Sequence, residues 1–139
     1  MKRGLIFAGI ILALSILIFG LYQYNKPHRD IASSAADYRL SADELFLEFE
    51  KNRATASSRY VDKVITFSGI ISTVQQNQTG GYNILLKGRQ GSVNCEIDPT
   101  LNLNIENLLE NTLVNVKGLC VGYDDLLQEL QFKKCNIMP

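Results

Sequence analysis

The hydrophobic period of the chain changes twice. From Leu5 to Leu21 the residues are apolar almost without interruption, and after Arg3 no charge appears until Lys26. At about 1.5 Å per helical residue, Leu5–Tyr24 reaches roughly 30 Å, the thickness of a bilayer core, and predicts a transmembrane helix over 5–24 behind a short N-terminal segment, 1–4. Residues 25–40, with Pro27 and the run Ser33-Ser34-Ala35-Ala36, read as a linker to one domain over 41–139. At Ser41 a helical period begins: Ser41-Ala42-Asp43-Glu44 fits a capping box, and Leu45, Phe46 and Phe49 follow on one face. Asn52 is a natural stop, and 54–60 has room for one more turn of helix.

Beyond Tyr60 the period becomes two. Ile65, Phe67 and Ile71 share parity in a first strand over 64–74, in which Gly69 marks a bulge or strong bend. Tyr82, Ile84 and Leu86 alternate in a second strand, and Val93, Cys95 and Ile97 in a third. Ile105, Leu108 and Leu109, with Glu106 and Glu110 on another side, predict a short helix. A fourth strand over 112–122 carries Val114, Val116 and Cys120 in phase. In the fifth, 128–137, Leu130 and Phe132 are out of phase with Cys135 and Ile137, so a bulge is expected near Lys133-Lys134. Three meandering strands, a short helix and a hairpin, after a leading helix, are the order of a mainly β, five-stranded OB-fold Greek-key barrel.

Charge and length then refine the picture. The total of 14 cations and 14 acids hides an asymmetry. Lys2, Arg3, Lys26 and Arg29 belong to the anchor region with only Asp30 against them, which leaves Ile31 onward near −3. Such a domain lacks the basic surface of a nucleic-acid binder, and nucleic acid is disfavoured as its partner. The long apolar run, without a small-x-small cleavage site before Pro27, favours an uncleaved signal anchor over a cleaved leader. The slight excess of N-terminal positive charge favours a domain outside the cytoplasm, and Tyr22 and Tyr24 suit an interfacial belt. Gly9 and Ala13 form a single small-xxx-small pair, weak evidence for anchor dimerisation, and the oligomeric state stays open.

The order of several short pieces also resembles a family. Leu45 and Phe49 are followed by Asn52, Ala56 and Tyr60, then by Lys63-Val64-Ile65 and Gly69. Val93-Asn94-Cys95, Val116-Lys117-Gly118-Leu119-Cys120 and Cys135-Asn136-Ile137 complete the pattern. Ser41–Met138 resembles the tRNA-anticodon-like OB-fold family, small bacterial proteins with an N-terminal membrane anchor. The resemblance implies a fold and a single-pass location in the bacterial cytoplasmic membrane. It brings no functional residues and does not make the chain a tRNA binder.

OB-folds that bind polymers use the face of their second and third strands, between the loop joining the first two strands and the loop joining the last two. The outward positions there are Asn83, Leu85, Lys87, Asn94 and Glu96, groups suited to hydrogen-bonding a sugar, a peptide or a protein edge. Residues 75–81 of the first loop carry no cation, and the second loop holds Asp124 and Asp125 with Glu129 beyond, which repels phosphates. These acids fall short of a calcium loop and read as a solvated turn. Tyr60, Tyr82 and Tyr123 read as barrel-end closures rather than stacking platforms, and Lys133-Lys134 as protection of a strand edge. Glu106 and Glu110 read as solvated helix surface. With His28 the only histidine and no CxxC, no metal site, cofactor or catalytic constellation is predicted. Cys120 and Cys135, on consecutive strands, are the favoured candidates for a disulfide, with Cys95 a rival partner for Cys135; the alternative is three buried thiols. The sequence therefore predicts a non-enzymatic, membrane-anchored extracytoplasmic binding module for a protein or envelope component. Its competitor is a nucleic-acid-binding domain on the cytoplasmic side, and a third reading is a redox protein using Cys120 and Cys135.

Overall fold

In a computed structural model of the chain, the described backbone covers residues 2–24, 31, 33–89, 91–101 and 103–138, with side chains described over 9–22 and for those same residues from 31 onward. The flanking residues Lys26, Pro27, His28 and Arg29 lie outside the described residues. Helix α1 (Lys2–Tyr24) starts before the predicted span and ends with it. Its described side chains, including Ile10, Leu14, Leu17 and Leu21, are all exposed. The Ser15 hydroxyl donates to the Ile11 carbonyl at 2.8 Å, so this lone polar side chain of the apolar run is satisfied within the helix. Among the described residues no helix is long and apolar enough to cross a membrane.

The predicted linker contains more order than its composition suggested. Ile31 is buried. Asp37 is joined twice to Val64, its N–H donating to the Val64 carbonyl at 2.7 Å and its Oδ2 accepting from the Val64 N–H at 2.9 Å. Tyr38–Ser41 is then a strand, β1, parallel to residues 65–68. Residues 38–40 thus belong to the sheet rather than to a linker. Four residues are too few to display a period, and the strand's partner lies far along the chain.

Ser41 closes β1 and caps α2 (Ala42–Lys51) through the predicted capping box: its N–H donates to Glu44 Oε2 at 2.7 Å, and its Oγ accepts from the Glu44 N–H at 3.2 Å. Asn52 ends α2 and caps α3 (Arg53–Tyr60), its Oδ1 accepting from the Thr55 N–H at 3.0 Å. Leu45, Phe46, Phe49, Ala56 and Tyr60 are buried, so the two helices close one end of the barrel.

The barrel is built from β2 (Val64–Gln76), β3 (Tyr82–Lys87), β4 (Ser92–Ile97), β5 (Leu113–Asp124) and β6 (Glu129–Met138). The order β2-β3-β4-β6-β5 closes through β2–β5, the ring of a five-stranded OB-fold, with β1 added outside it. The first half of β2 pairs with β5 and its second half with β3. The strand changes partner around the predicted bend, where a Cβ on Gly69 would lie 3.1 Å from Leu86. The predicted bulge in the last strand is present: Leu119 faces Lys133, Lys117 faces Asn136, and Lys134 adopts φ 51°. It keeps Leu130, Phe132 and Cys135 all in the core. The predicted helix between the third and fourth strands is a 3-10 turn, Ile105–Asn107, whose N-terminal Asn104 makes no side-chain capping hydrogen bond. Leu108 packs against the core, but Leu109 is exposed.

Candidate binding face

The five residues singled out on the barrel wall come together. Asn83 faces Glu96, and Leu85 faces Asn94, across β3–β4, and Lys87 faces Ser92 at the end of the same ladder. Inward-pointing Ile84, Leu86, Val93 and Cys95 alternate with them and are buried, so the five share the outer surface. The register extends the face on both sides, to Thr73 and Gln75 of β2 and to Gln131 of β6. Gln75 and Gln131 escaped the sequence reading because pairing across distant strands, not local periodicity, places them there. The result is a wall rich in side-chain amides. On it, Asn83 Oδ1 is shielded from solvent and has no hydrogen-bond partner among the described residues. Buried polar atoms are nearly always paired, so this oxygen gains a donor only if the Asn83 side chain turns toward the outer surface.

The flanking loops are self-contained. In the β2–β3 loop, Asn77 Oδ1 accepts from the Thr79 hydroxyl at 2.7 Å and from the Gly81 N–H at 2.8 Å, and Gly80 takes φ +83°. In the β5–β6 turn, Asp124 Oδ1 accepts from the N–H groups of Leu126 and Leu127 at 2.9 and 3.1 Å, and Asp125 forms an ion pair with Arg53. These acids serve the turn, and among the described residues no group of three His, Cys, Asp or Glu side chains is placed to hold a metal ion. The turn also raises Leu126, 95% exposed, to its tip.

The tyrosines belong to the barrel ends. Tyr60 is buried, 5.1 Å from Tyr38 and 6.2 Å from Phe49, centre to centre. Tyr123 stacks with Phe49 at 6.0 Å, and the Arg53 guanidinium lies 4.9 Å from its ring centre, so its faces are already engaged. Tyr82 packs against the core.

The cysteines are three free, buried thiols, and the favoured Cys120–Cys135 bond is absent. The register explains why: Cys120 faces Phe132, whereas the bulge turns Cys135 inward toward Gly118, whose added Cβ would meet Cys135 Sγ at 2.7 Å. Cys135 neighbours Cys95 instead. Burial pushes the Cys120 thiol up to about 12 and raises Cys135 as well, reinforced by its contact with Cys95. Neither Cys120 nor Cys135 therefore supplies a thiolate near neutral pH.

The family model named tRNA_anti-like matches residues 1–133. The chain belongs to the tRNA_anti-like family. No curated protein matches it. Among solved structures it is similar to a Klebsiella pneumoniae lipoprotein provisionally described as nucleic acid-binding, with a TM-score of 0.59 and 18% identity over 82% of this chain and 100% of that one. The likeness shows a shared fold. The yeast Stn1 and Ten1 structure matches with a TM-score of 0.48 and 13% identity over 78% of this chain and 65% of that one. Entamoeba histolytica asparaginyl-tRNA synthetase matches at 0.42 and 16% over 55% of this chain and 21% of that one. These last two likenesses are too distant to carry an argument. The tRNA_anti-like domain described here is thus an OB-fold binding domain by family and architecture.

Proposed function

We propose that this tRNA_anti-like protein is a non-enzymatic binding module, held by α1 in the bacterial cytoplasmic membrane with its barrel on the extracytoplasmic side, and that it contacts a protein or envelope component through the β3–β4 wall. The observation that carries the binding role is the gathering of Asn83, Asn94, Glu96 and Gln131 on one outer face, where Asn83 Oδ1 has no hydrogen-bond partner among the described residues. A sugar hydroxyl or a peptide N–H supplies the missing donor, whereas a phosphate has none to give. The anchor is supported by the uncharged stretch from Gly4 to Tyr24 and by the exposed apolar side chains of α1, which no part of the barrel covers. A non-catalytic role is supported by a domain without histidine, by the raised Cys120 and Cys135 thiols and by the engagement of Asp124 in its turn.

The competing reading is a nucleic-acid-binding domain facing the cytoplasm, the property ascribed to the Klebsiella lipoprotein. A domain charge near −3 and acids at the β5–β6 turn oppose it. Protease treatment of intact spheroplasts, with a cytoplasmic protein as control, separates the two. Digestion of the barrel before lysis is the expected result. Protection until lysis, together with salt-dependent binding of single strands, overturns the proposal.

A further inference from the structure

Two hairpin turns of the barrel use one device and end in opposite chemistry. In each, a side-chain oxygen near the start accepts from backbone N–H groups further on. Asn77 Oδ1 takes those of Thr79 and Gly81 in the β2–β3 loop, and Asp124 Oδ1 takes those of Leu126 and Leu127 in the β5–β6 turn. The first loop is tipped by Gln78 and Thr79, as a loop in water should be. The second is tipped by Leu126 and Leu127, 95% and 63% exposed. Its shape rests on Asp124, on the Arg53–Asp125 pair and on Gln128 at φ 54°, and asks for no apolar side chain. A lone exposed leucine is ordinary, but two adjacent ones at a turn, where polar residues are the rule, are not.

The sheet register shows where this tip points. β1 is parallel to β2 and starts beside its beginning, with Tyr38 opposite Ile65 and Asp37 bonded to Val64. β5 is antiparallel, with Leu119 opposite Val64, and continues to Asp124, roughly 15 Å of further strand. The segment arriving from α1 and the β5–β6 turn therefore lie at the same end of the barrel. Even fully extended, the chain from Tyr24 to Asp37 reaches at most about 45 Å. With α1 in a bilayer, this end of the barrel is held near the bilayer surface. Leu109 and Leu113 are as exposed, at 66% and 69%, but lie at the far end of β5, where Leu113 faces Ile70.

We infer that the β5–β6 turn dips Leu126 and Leu127 into the apolar margin of the bilayer that holds α1. This second, reversible contact would fix the tilt of the barrel and so the direction of the β3–β4 wall. Tethering makes the contact intramolecular, so two shallow side chains suffice where they would not hold a free domain. The N–H groups of both leucines carry their acceptor with them, so the tip enters the interface without unpaired donors. Asp124, Asp125 and Glu129 stand behind the tip and limit it to headgroup depth. The contact rests on the anchoring role given to α1 above and requires no ligand on the β3–β4 wall.

The chain has no tryptophan, so Leu126→Trp sets a single reporter at the tip and Leu113→Trp one at the far end of β5. Each full chain is reconstituted into phosphatidylcholine vesicles with and without brominated acyl chains. Flotation at alkaline pH establishes separately that α1 is inserted. In chains that float, the reporter at position 126 should emit at shorter wavelength than that at 113. Brominated chains should also quench it several-fold more strongly. Adding Leu127→Asp should remove most of that quenching and leave the unfolding midpoint in place, because the tip lies outside the core. Equal quenching at 126 and 113 in chains that float overturns the tip contact and leaves the anchor standing. Quenching that survives Leu127→Asp also overturns it. So does an unquenched shift that grows with the density of chains in the vesicle, the mark of contact between copies. Failure to float removes the anchor and the tip contact together, and flotation alone identifies that case.

Discussion

Two walls of one barrel solve the same packing problem and present opposite chemistry. Both alternate apolar residues inward with polar residues outward, and both rest on the same core. The β3–β4 wall shows amides, one acid and one terminal lysine, and leaves Asn83 Oδ1 unpaired. The β1–β2–β5 wall shows hydroxyls between two cations, with its acid already bonded to Ser41. The net charge of the domain describes neither. A balance near −3 is compatible with Arg39 and Lys117 standing in one row of that wall, while Asp98 and Asp124 serve turns, Asp125 pairs with Arg53 and Glu44 closes the capping box. The local arrangement of charges, not their sum, sets the chemistry of a surface.

The largest effect comes from the core that the walls share. Phe132 lies on β6 behind both, its ring 4.5 Å from that of Phe67. Phe132→Ala should cost about 3–5 kcal/mol, read as a fall in the denaturant midpoint, and should remove both surfaces together. Loss of one wall's structure with the other intact would mean that the two do not depend on a common closure.

Next comes the neutral wall alone. Asn83→Leu removes a shielded oxygen that no described residue satisfies. We expect thermal unfolding to rise by the equivalent of about 1 kcal/mol while binding through the β3–β4 wall is lost. A fall in stability would show that this amide is already paired in solution and would weaken the case for a ligand there.

The cationic wall is probed through its cap. Ser41→Ala deletes a cap hydroxyl, with an expected cost of about 1 kcal/mol. The backbone and side-chain hydrogen bonds from Ser41 hold the Glu44 carboxyl below its ordinary value of 4.5. Folded Glu44 thus binds its proton less readily than in the unfolded chain. Its contribution to stability is complete above the unfolded value and disappears as the pH falls through the lower folded one. Asp98, held down by the Thr100 hydroxyl and N–H, has the same sign in the same acid range. The unfolding midpoint should therefore decline in acid, and Glu44→Gln should flatten part of that decline. An identical pH profile for the variant would detach Glu44 from the cap.

The amide-rich wall was largely legible in the sequence, and the cationic wall was not. Asn83, Leu85, Lys87, Asn94 and Glu96 belong to two adjacent strands, so parity alone put them on one face, and the structure brings all five together. Gly69 and the phase slip at Lys133-Lys134 likewise announced the bend and the bulge. The cationic wall depends on β1, whose four residues pair in parallel with a segment more than twenty positions away, and on Arg39 sharing a row with Lys117 across a third strand. No local period encodes such a meeting. The absent Cys120–Cys135 bond has the same origin: adjacency of strands was readable, but the one-residue offset produced by the bulge decides which thiol faces which.

The seam between β4 and β6 gives the smallest expected effect. Cys95 and Cys135 sit there behind the amide-rich wall, and a bond between them would lock that side of the barrel but not the other. All three thiols are free, and burial holds Cys120 and Cys135 largely protonated. Adding a reductant should therefore leave the unfolding midpoint in place, against a loss of about 2–5 kcal/mol for a native disulfide. A thiol reagent should label the folded chain slowly and all three cysteines at once on unfolding. A reductant-dependent midpoint would place a covalent tie across the seam and make the amide-rich wall the stiffer of the two. With no such tie, the closure of that wall rests on Phe132, Ile84 and Leu86 packing against one another's neighbours, the same apolar burial that supports the cationic wall on the other side.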